Sequence, residues 1–517
     1  MGMLALKRLM SKQSERRRRQ IRARGCASDR CSSSVAKRKN EVGRDDDVSP
    51  GAKRLRSSGL HLPEDIWRHI HSLMPLRDAA RTACVSRAFS QSWRCHPNLT
   101  FTNKSILGSD SNGCGRDFIR TIGHVLKNHS GNIKTLTLEL DDYKNSWRRR
   151  LHGWLQMAMR PGIEEITLRF GFFAKATYKL PCWLLSDRIR NSIRCLKLQR
   201  CIFCPTVKLG PFRSLAMLRF SKVLITGHKL GYLLSNSPAL EWLDLNSCDE
   251  LDCLKIPCQL QRLSYLRVSS CPRLYVIEIK APNLRVFNLD AQRVIKLSFG
   301  VSLKLKLLYV SSPDLACYTC LRLLSKVLDL ESLNLRSYGQ VPSSLMLPVK
   351  FLHLKEFMLS LTGQGVSEAY DYFCLASLLD SCPSLRNIFL NVSHKCVGHE
   401  TILEESSCSR EMPGQQHGNL KSVTILGFCY ARSLVELTCY IVENTASLES
   451  LTLDIHGTVA IWPSGVLTPM YEGKLAEAPR TLLTIRTHIQ RKIPSTVKLN
   501  VLEPCGPCSA AVGANLS

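Results

Sequence analysis

Two stretches of similar pattern, LEWLDLNSC at residues 240–248 and LSYLRVSSC at residues 263–271, carry the signal that decides the fold. Both have the order apolar-x-x-apolar-x-apolar, which LESLNLRS (330–337) and LESLTLD (448–454) repeat further along the chain. The pattern begins at Ile133, Ile163, Ile193, Leu215, Leu240, Leu263, Leu284, Leu305, Leu330, Leu354, Leu385, Leu420 and Leu448. Because successive starts are 21–35 residues apart, the sequence predicts a tandem array of one short structural unit.

Each unit supplies one short strand whose alternate apolar side chains point inward and cannot be buried by that unit alone. Stacking of neighbours gives a continuous core and a parallel sheet, and most of the intervals are those of leucine-rich repeats. Three small residues, Cys201, Cys248 and Cys271, follow the last apolar position and are predicted to fill a buried slot. The predicted fold class is α/β: a leucine-rich-repeat solenoid, a horseshoe with its parallel sheet on the concave side. Segments such as GYLLSNSPA and LASLLDSCPS are expected to form its outer helices.

Ahead of the repeats, residues 60–94 read LHLPEDIWRHIHSLMPLRDAARTACVSRAFSQSWR. The LPED sequence indicates a helix start, because proline suits the first helical position and acids suit the first turn. Ile66, Ile70 and Leu73 then fall on one face of this helix. Two more short amphipathic helices are predicted to follow. Such a small unit needs something to pack against.

This segment resembles an F-box, through LPEDI (62–66), PLRDAARTACVSRAF (75–89) and SW (92–93). The arrangement of the whole chain resembles the plant F-box/leucine-rich-repeat family. The C-terminal part is similar to the FBD-type end of that family, in LKSVTILGF (420–428), LVELTCYIVENTASLESLTLD (434–454) and IPSTVKLNVLEPC (493–505). The resemblance implies a substrate-recognition subunit of an SCF-type (Skp–cullin–F-box) ubiquitin ligase, in which the F-box docks on a Skp adaptor and the repeats hold a protein substrate.

The same resemblance implies a set of apolar, adaptor-facing residues: Leu62, Pro63, Ile66, Ile70, Leu76, Ala80, Val85 and Ser86. The chain departs from the family at Ala88 and Phe89, where Ser-Arg-Arg-Trp or Ser-Arg-x-Trp is common. His69 and His71 also make the first helix more polar than usual. A small helical cap that only covers the first repeat is the alternative interpretation of this segment.

Of the net charge of +29, +11 lies in residues 1–59, which have the composition of a disordered basic tail. Twenty-three scattered cysteines and a start unlike a secretory signal indicate reduced thiols, and hence the nucleus or cytoplasm. Alternatives for the tail are a solvated segment or a transit peptide. Candidate nuclear-import residues are Lys37, Arg38, Lys39, Lys53, Arg54 and Arg56.

The concave face of the predicted sheet is formed by residues two, four and six positions after each start. Its basic residues are Arg169, Lys197, Arg219, Arg267 and Arg336. Its acidic residues are Glu139, Glu165, Asp244, Asp290, Glu356 and Asp454. Because a duplex-binding surface should be strongly basic, this mixed face favours a protein substrate over nucleic acid.

Candidate substrate-binding residues on this face are Trp242, Asp244, Tyr265 and Arg267, since aromatic and arginine side chains often dominate interface energies. The alternative is that Trp242 and Tyr265 only pack sideways along the sheet.

Enzyme motifs are missing from the sequence: it has no phosphate-binding GxxxxGK[ST], no GxSxG and no HExxH. The C-x-x-C pairs Cys201/Cys204 and Cys505/Cys508 lie about 300 residues apart, too far for a zinc ribbon. No stretch has the roughly 18–20 apolar residues that a membrane helix requires. We therefore expect a non-catalytic protein without a cofactor, a metal or a membrane partner.

The predicted organisation is a disordered basic tail (1–59), an F-box (60–100), leucine-rich repeats (101–411), terminal repeats with an FBD-like region (412–508) and a disordered end (509–517). The expected partners are a Skp-type adaptor, through it a cullin, and an unknown protein substrate. The alternative from another class is a basic nuclear repeat scaffold that binds protein or nucleic acid without a ligase. A further alternative is a family member that folds but no longer binds the adaptor.

Overall fold

The computed structural model describes residues 63–82, 84, 93–102, 105, 115–140, 147–171, 178–206, 209–300, 304–314, 324–340, 350–362, 370–393, 416–455 and 472–503. The predicted tails at 1–59 and 509–517, and the helix expected before Trp93, lie outside these residues. The chain divides into two compact units, Met1–Ala174 and Lys175–Ser517. No helix of the described residues combines the length and apolarity needed to cross a membrane.

The described part of the first unit contains α1 (Glu64–Ser72), α2 (Leu76–Thr82), a 3-10 turn (Trp93–Cys95), β1 (Asn98–Phe101), α3 (Gly115–Asn128), β2 (Thr135–Leu140), α4 (Arg148–Ala158) and β3 (Glu165–Phe170). Helix α1 begins directly after Pro63, with two acids in its first turn, as its sequence predicts. Strands β1, β2 and β3 pair in parallel, with Asn98 opposite Thr135 and Thr135 opposite Glu165.

In the described part of the second unit the strands are β4 (Tyr178–Leu180), β5 (Cys195–Gln199), β6 (Cys201–Phe203), β7 (Met217–Ser221), β8 (Trp242–Asn246), β9 (Cys253–Ile256), β10 (Tyr265–Ser269), β11 (Val276–Ile279), β12 (Val286–Asp290), β13 (Lys296–Phe299), β14 (Leu307–Asp314), β15 (Ser332–Gln340), β16 (Glu356–Thr362), β17 (Asn387–Ser393), β18 (Ser422–Leu426), β19 (Ser450–Asp454) and β20 (Lys498–Leu502). The main parallel sheet of this unit runs in the order β5, β7, β8, β10, β12 and then β14 to β20.

The helices of the second unit's described residues are α5 (Asp187–Arg190), α6 (Gly227–Ser235), α7 (Ala376–Ser381), α8 (Arg432–Asn444) and α9 (Glu472–Thr484). Helix α9 continues into a π-helical turn (Ile485–Ile489), and 3-10 turns lie at Cys182–Leu184, Tyr372–Leu375 and Gln490–Lys492. Helices α6 and α7 occupy the segments predicted as outer helices.

Every one of the thirteen predicted repeat starts is followed, two residues later, by the first residue of a strand in β2, β3, β5, β7, β8, β10, β12 or β14 to β19. The start residue and the two later apolar residues are buried; in β8 these are Leu240, Leu243 and Leu245, all fully buried. The leucine-rich-repeat solenoid predicted from the pattern is therefore the observed fold.

Some of the segments that connect one repeat strand to the next are themselves strands rather than helices. Strands β9, β11 and β13 form a second parallel sheet, with Val276 opposite both Cys253 and Lys296. The repeats concerned begin only 21–23 residues apart, at Leu240, Leu263, Leu284 and Leu305. A strand rises about 3.3 Å per residue and a helix about 1.5 Å, so a strand spans the same connection with fewer residues.

A left-handed turn ends several of the sheet strands. The residue that follows β5, β7, β8 and β10 has φ between 51° and 56°; these residues are Arg200, Lys222, Ser247 and Ser270. Each donates its backbone N–H to the last strand residue of the next repeat, as Ser247 does to the Ser269 carbonyl at 2.9 Å. The turn then directs the slot residues inward, and the thiols of Cys201, Cys248 and Cys271 are buried as predicted.

Candidate functional site

The first candidate surface is the apolar face of α1. Ile66 and Leu73 lie on this face and are 41% and 74% exposed, although both are large hydrophobic residues. Pro63 is also exposed, whereas Ile70, Leu76 and Ala80 are half-buried. The predicted adaptor-facing residues Leu62, Val85 and Ser86, and the departures Ala88 and Phe89, lie outside the described residues. The described helices thus present apolar side chains to solvent, the property that a docking surface requires.

Three buried histidines, His71, His96 and His129, lie in the same unit as this face. His96 donates from Nε2 to the Met74 carbonyl (3.0 Å) and accepts at Nδ1 from the Asn98 N–H (3.1 Å). His129 donates to the His96 carbonyl at 2.9 Å, and His71 Nε2 lies 3.2 Å from Thr82 Oγ1. The histidines thus join the segment after α1 to the first strand of the repeats.

Burial lowers the pKa of His71, and the neighbouring His96 lowers it further. Burial also lowers the pKa of His129, although its hydrogen bond to the His96 carbonyl acts in the opposite direction. An unfolded histidine titrates near 6.5, so the unfolded chain binds protons that these folded side chains reject. Their contribution to stability is complete above about pH 6.5 and is lost as the pH falls below that value.

We expect the free energy of unfolding of the first unit to decrease between pH 7 and pH 5, by up to about 1.4 kcal/mol per pH unit for each such histidine. Replacement of His129 by glutamine keeps a donor for the His96 carbonyl but removes the titration, so the pH dependence should become shallower. Hydrogen exchange of the α1 and α3 amides at both pH values measures this. His69→Gln, at an exposed position of α1, is the control, and an unchanged slope in His129→Gln would contradict the assignment.

The second candidate surface lies on the main sheet of the second unit. Parallel pairing aligns the first residues of six successive strands into one line, which we call the apolar row: Cys195, Met217, Trp242, Tyr265, Val286 and Leu307. Cys195 is buried, and the other five side chains are half-exposed. A continuous apolar line on an otherwise polar sheet face is suited to binding a partner.

At the centre of the apolar row two aromatic rings stack. The centroids of the Trp242 and Tyr265 rings lie 3.4 Å apart, with 9° between the planes. The Tyr265 hydroxyl accepts a hydrogen bond from Asn288 Nδ2 at 3.1 Å. The two aromatics therefore do pack sideways along the sheet, as the alternative interpretation stated, and they also remain half-exposed. Sideways packing and binding are compatible, because the stack fixes both rings before a partner arrives.

Beside the apolar row, two residues further along each strand, lies the polar row: Lys197, Arg219, Asp244, Arg267, Asn288 and Tyr309. Arg219 Nε pairs with Asp244 Oδ2 at 2.8 Å, and the Asp244 side chain is buried. Because Asp244 is engaged by Arg219, the remaining charge of this row, at Lys197 and Arg267, is positive. All four predicted substrate-binding residues belong to these two rows.

Metal binding finds no support in the described residues, where no three His, Cys, Asp or Glu side chains converge on a possible ion. Cys201, the first residue of β6, lies in the core, whereas Cys204, directly after β6, is half-exposed. Cys505 and Cys508 lie outside the described residues.

Comparison with known protein families assigns both parts of the chain. The F-box domain family matches residues 60–100, and the family described as "At1g61320/AtMIF1, LRR domain" matches residues 125–506. The chain belongs to the plant F-box/LRR family. Two relatives of this F-box/LRR protein are F-box/FBD/LRR-repeat proteins of Arabidopsis thaliana, At1g13570 and At5g56810. They are 25% and 26% identical to it over 76% of this chain and 89% of their own length.

Family membership has general implications for this F-box/LRR protein. An F-box domain implies binding to a Skp-type adaptor, and proteins of this family are typically non-catalytic adaptors of SCF-type ligases. The F-box and FBD names of the relatives agree with the resemblance found in the LPEDI and LKSVTILGF segments.

Sequence reasoning placed the first residue of each repeat strand on the concave face but singled out only Trp242 and Tyr265 from the apolar row. The other members, Cys195, Met217, Val286 and Leu307, lie at the same position, two residues after a repeat start. Comparing that position across successive repeats, instead of looking for aromatics in single strands, would have indicated a continuous apolar line. The stacking of Trp242 on Tyr265 has no sequence signal beyond their equal position in adjacent repeats.

Proposed function

We propose that this protein is the substrate-recognition subunit of an SCF-type ubiquitin ligase. The observation that carries the proposal is the solvent-exposed apolar face of α1, with Ile66 and Leu73, in a chain that continues into a repeat sheet with a separate apolar row. One surface is then available for the Skp adaptor and the other for the substrate. The protein would contribute proximity, by holding a substrate lysine near a charged ubiquitin-conjugating enzyme.

The adaptor interaction is tested by co-purification of the full chain with a plant Skp adaptor. We expect the intact chain to capture the adaptor and the variant Leu62→Ala/Pro63→Ala/Ile66→Ala to lose capture at least tenfold, since hot-spot truncations cost about 2 kcal/mol or more. The matched control is Glu64→Gln/Arg68→Gln, because this exposed ion pair (2.8 Å) lies on the opposite face of α1. Failure of the folded intact chain to bind would refute the ligase role and favour the scaffold or the non-binding family member.

The substrate class follows from the two rows of the second unit. A half-exposed apolar row beside cationic Lys197 and Arg267 fits a protein segment that carries apolar side chains flanked by carboxylates. A surface that bound a nucleic acid duplex would need a denser array of cations. We therefore propose a protein substrate with an acidic, apolar recognition segment.

The substrate surface is tested in cells that express the full chain. Trp242→Ala/Tyr265→Ala should abolish recovery of the ubiquitinated proteins that the intact chain enriches, while adaptor capture stays unchanged. Thr452→Ala, on β19 of the same sheet but outside the apolar row, is the control. Enrichment of the same proteins by the double variant would show that substrates bind elsewhere.

We also propose that the protein acts in the nucleus or cytoplasm, on the support of the basic clusters at residues 37–39 and 53–56. These clusters lie outside the described residues. A fluorescent fusion of the full chain should lose nuclear signal when both clusters are replaced by alanine, and an unchanged distribution would exclude their role in import.

A further inference from the structure

Two thiols lie close together at the end of the short outer sheet formed by β4 and β6. These strands pair in parallel, with Tyr178 opposite Cys201 and Leu180 opposite Phe203. Continuing this register by one residue places Pro181, whose backbone is still extended, opposite Cys204. Cys182 follows one residue later. Strands of one sheet lie about 4.8 Å apart, so this register brings Cys182, the first residue of a 3-10 turn, next to Cys204.

A direct contact joins the two residues. The Cys182 thiol donates a hydrogen bond to the Cys204 carbonyl oxygen, with an Sγ to O distance of 3.1 Å. Both cysteines are half-buried rather than enclosed, so small reagents can reach them. The contact therefore places the Cys182 sulfur directly against the backbone of Cys204.

A cation lies beside one of the two sulfurs. Lys229, on α6, donates from Nζ to the Sγ of Cys204 at 3.4 Å. The negative charge that a cysteine sulfur carries when it acts as a nucleophile is attracted by an ammonium group at this distance. Of the two sulfurs, Cys204 is thus the one to which Lys229 donates a hydrogen bond.

The neighbouring cysteines have complementary properties. Burial raises the pKa of the Cys201 thiol to about 12, so this closer sequence neighbour stays protonated in the core. Burial, together with the proximity of Cys204, also raises the pKa of Cys182. Cys182 therefore retains a proton that it can deliver during a later step.

We propose that Cys204 and Cys182 form a dithiol that a hydroperoxide converts into a disulfide, with Lys229 activating Cys204. The Cys204 thiolate attacks one oxygen of hydrogen peroxide, the O–O bond breaks, and the departing hydroxide is protonated to water. Cys204 is then a sulfenic acid. The Cys182 sulfur attacks it, the S–O bond breaks, and the leaving hydroxide takes the Cys182 proton to give a second water. Two thiols are oxidised to one disulfide while one peroxide is reduced to two waters.

The test uses the full chain, reduced and then exposed to dilute hydrogen peroxide, followed by alkylation of the remaining thiols and digestion with trypsin. Cleavage yields residues 180–188, with Cys182, and residues 201–208, with both Cys201 and Cys204. We expect mass spectrometry to find these two peptides joined, with fragmentation placing the bond at Cys204. A bond between Cys201 and Cys204, or stable over-oxidation of Cys204 without any link, would overturn the proposal.

Variants test the role of the cation. Lys229→Met should slow disulfide formation about tenfold, because the cation that faces the attacking sulfur is lost, whereas Lys229→Arg should keep most of the rate. Lys280→Met, an exposed position at the end of β11, is the matched control. Circular dichroism confirms that each variant is folded. Equal rates in Lys229→Met and the intact chain would refute activation by Lys229, and faster oxidation of the exposed Cys258 than of Cys204 would show that the pair has no special reactivity.

Discussion

Replacement of Gly227 by alanine is expected to destabilise the second unit by about 3 kcal/mol. Gly227 is the first residue of α6, and a Cβ atom there would lie 2.3 Å from the Cys253 carbonyl oxygen, 2.6 Å from Cys253 Sγ and 2.7 Å from Asp252 Oδ1. Its N–H also donates to Asp252 Oδ1 at 3.2 Å. Because the obstructing carbonyl belongs to the backbone of β9, the methyl group can fit only if α6 moves away from that strand.

The matched control lies four residues later in the same helix. A Cβ atom at Gly231 would meet nothing within 4 Å, so Gly231→Ala should instead stabilise the unit by about 0.5–1 kcal/mol through helix propensity. Urea unfolding followed by far-ultraviolet circular dichroism measures both changes. Equal midpoints for Gly227→Ala and the intact chain would show that α6 tolerates displacement from β9.

The second large effect is expected at a buried carboxylate in the FBD-like region. The Glu436 side chain is 1% exposed and accepts from Arg432 Nε at 2.9 Å, one turn earlier on α8. Arg432→Met removes this cation and leaves the carboxylate buried, a change that typically costs about 3–5 kcal/mol. We expect a loss near the lower end of that range, because Arg432 itself is 40% exposed.

Two further variants make this prediction specific. The double variant Arg432→Met/Glu436→Leu removes both charges and should recover most of the lost stability, since a well-packed apolar pair replaces a buried ion pair at little cost. Lys421→Met breaks an ion pair of similar length (2.7 Å) with Glu449, but both side chains are more than half exposed. Its effect should stay below about 1 kcal/mol. Losses of similar size in Arg432→Met and Lys421→Met would contradict the importance of burial.

The positions of the repeat strands could be predicted from sequence because one buried apolar residue precedes each strand and two lie within it. Among the strands that pair with these repeat strands, two escaped the pattern. The position equivalent to a repeat start is His96 before β1, where a buried imidazole replaces an apolar side chain, and Thr496 before β20, where the side chain is exposed. A rule that requires an apolar residue at the start excludes both.

The remaining features depend on contacts between residues that are distant in sequence. Arg200 and Lys222 adopt positive φ although neither is glycine, because a hydrogen bond to the next repeat holds each turn. His71 looked like an unusually polar residue of the first helix, whereas it is buried against Thr82 of the second. Neither arrangement follows from the local sequence.

The spacing of the apolar row determines which conformation of a bound segment can contact several of its members at once. Its members recur once per strand, about every 4.8 Å, because hydrogen bonding fixes the distance between strands. Side chains on one face of an extended peptide recur about every 6.6 Å and fall out of step with the row after two or three strands. One face of an α-helix recurs with the 5.4 Å pitch, so the mismatch grows by only about 0.6 Å per strand and the helix stays in step over about four strands. The proposed recognition segment would therefore keep more contacts as an amphipathic helix than as a strand.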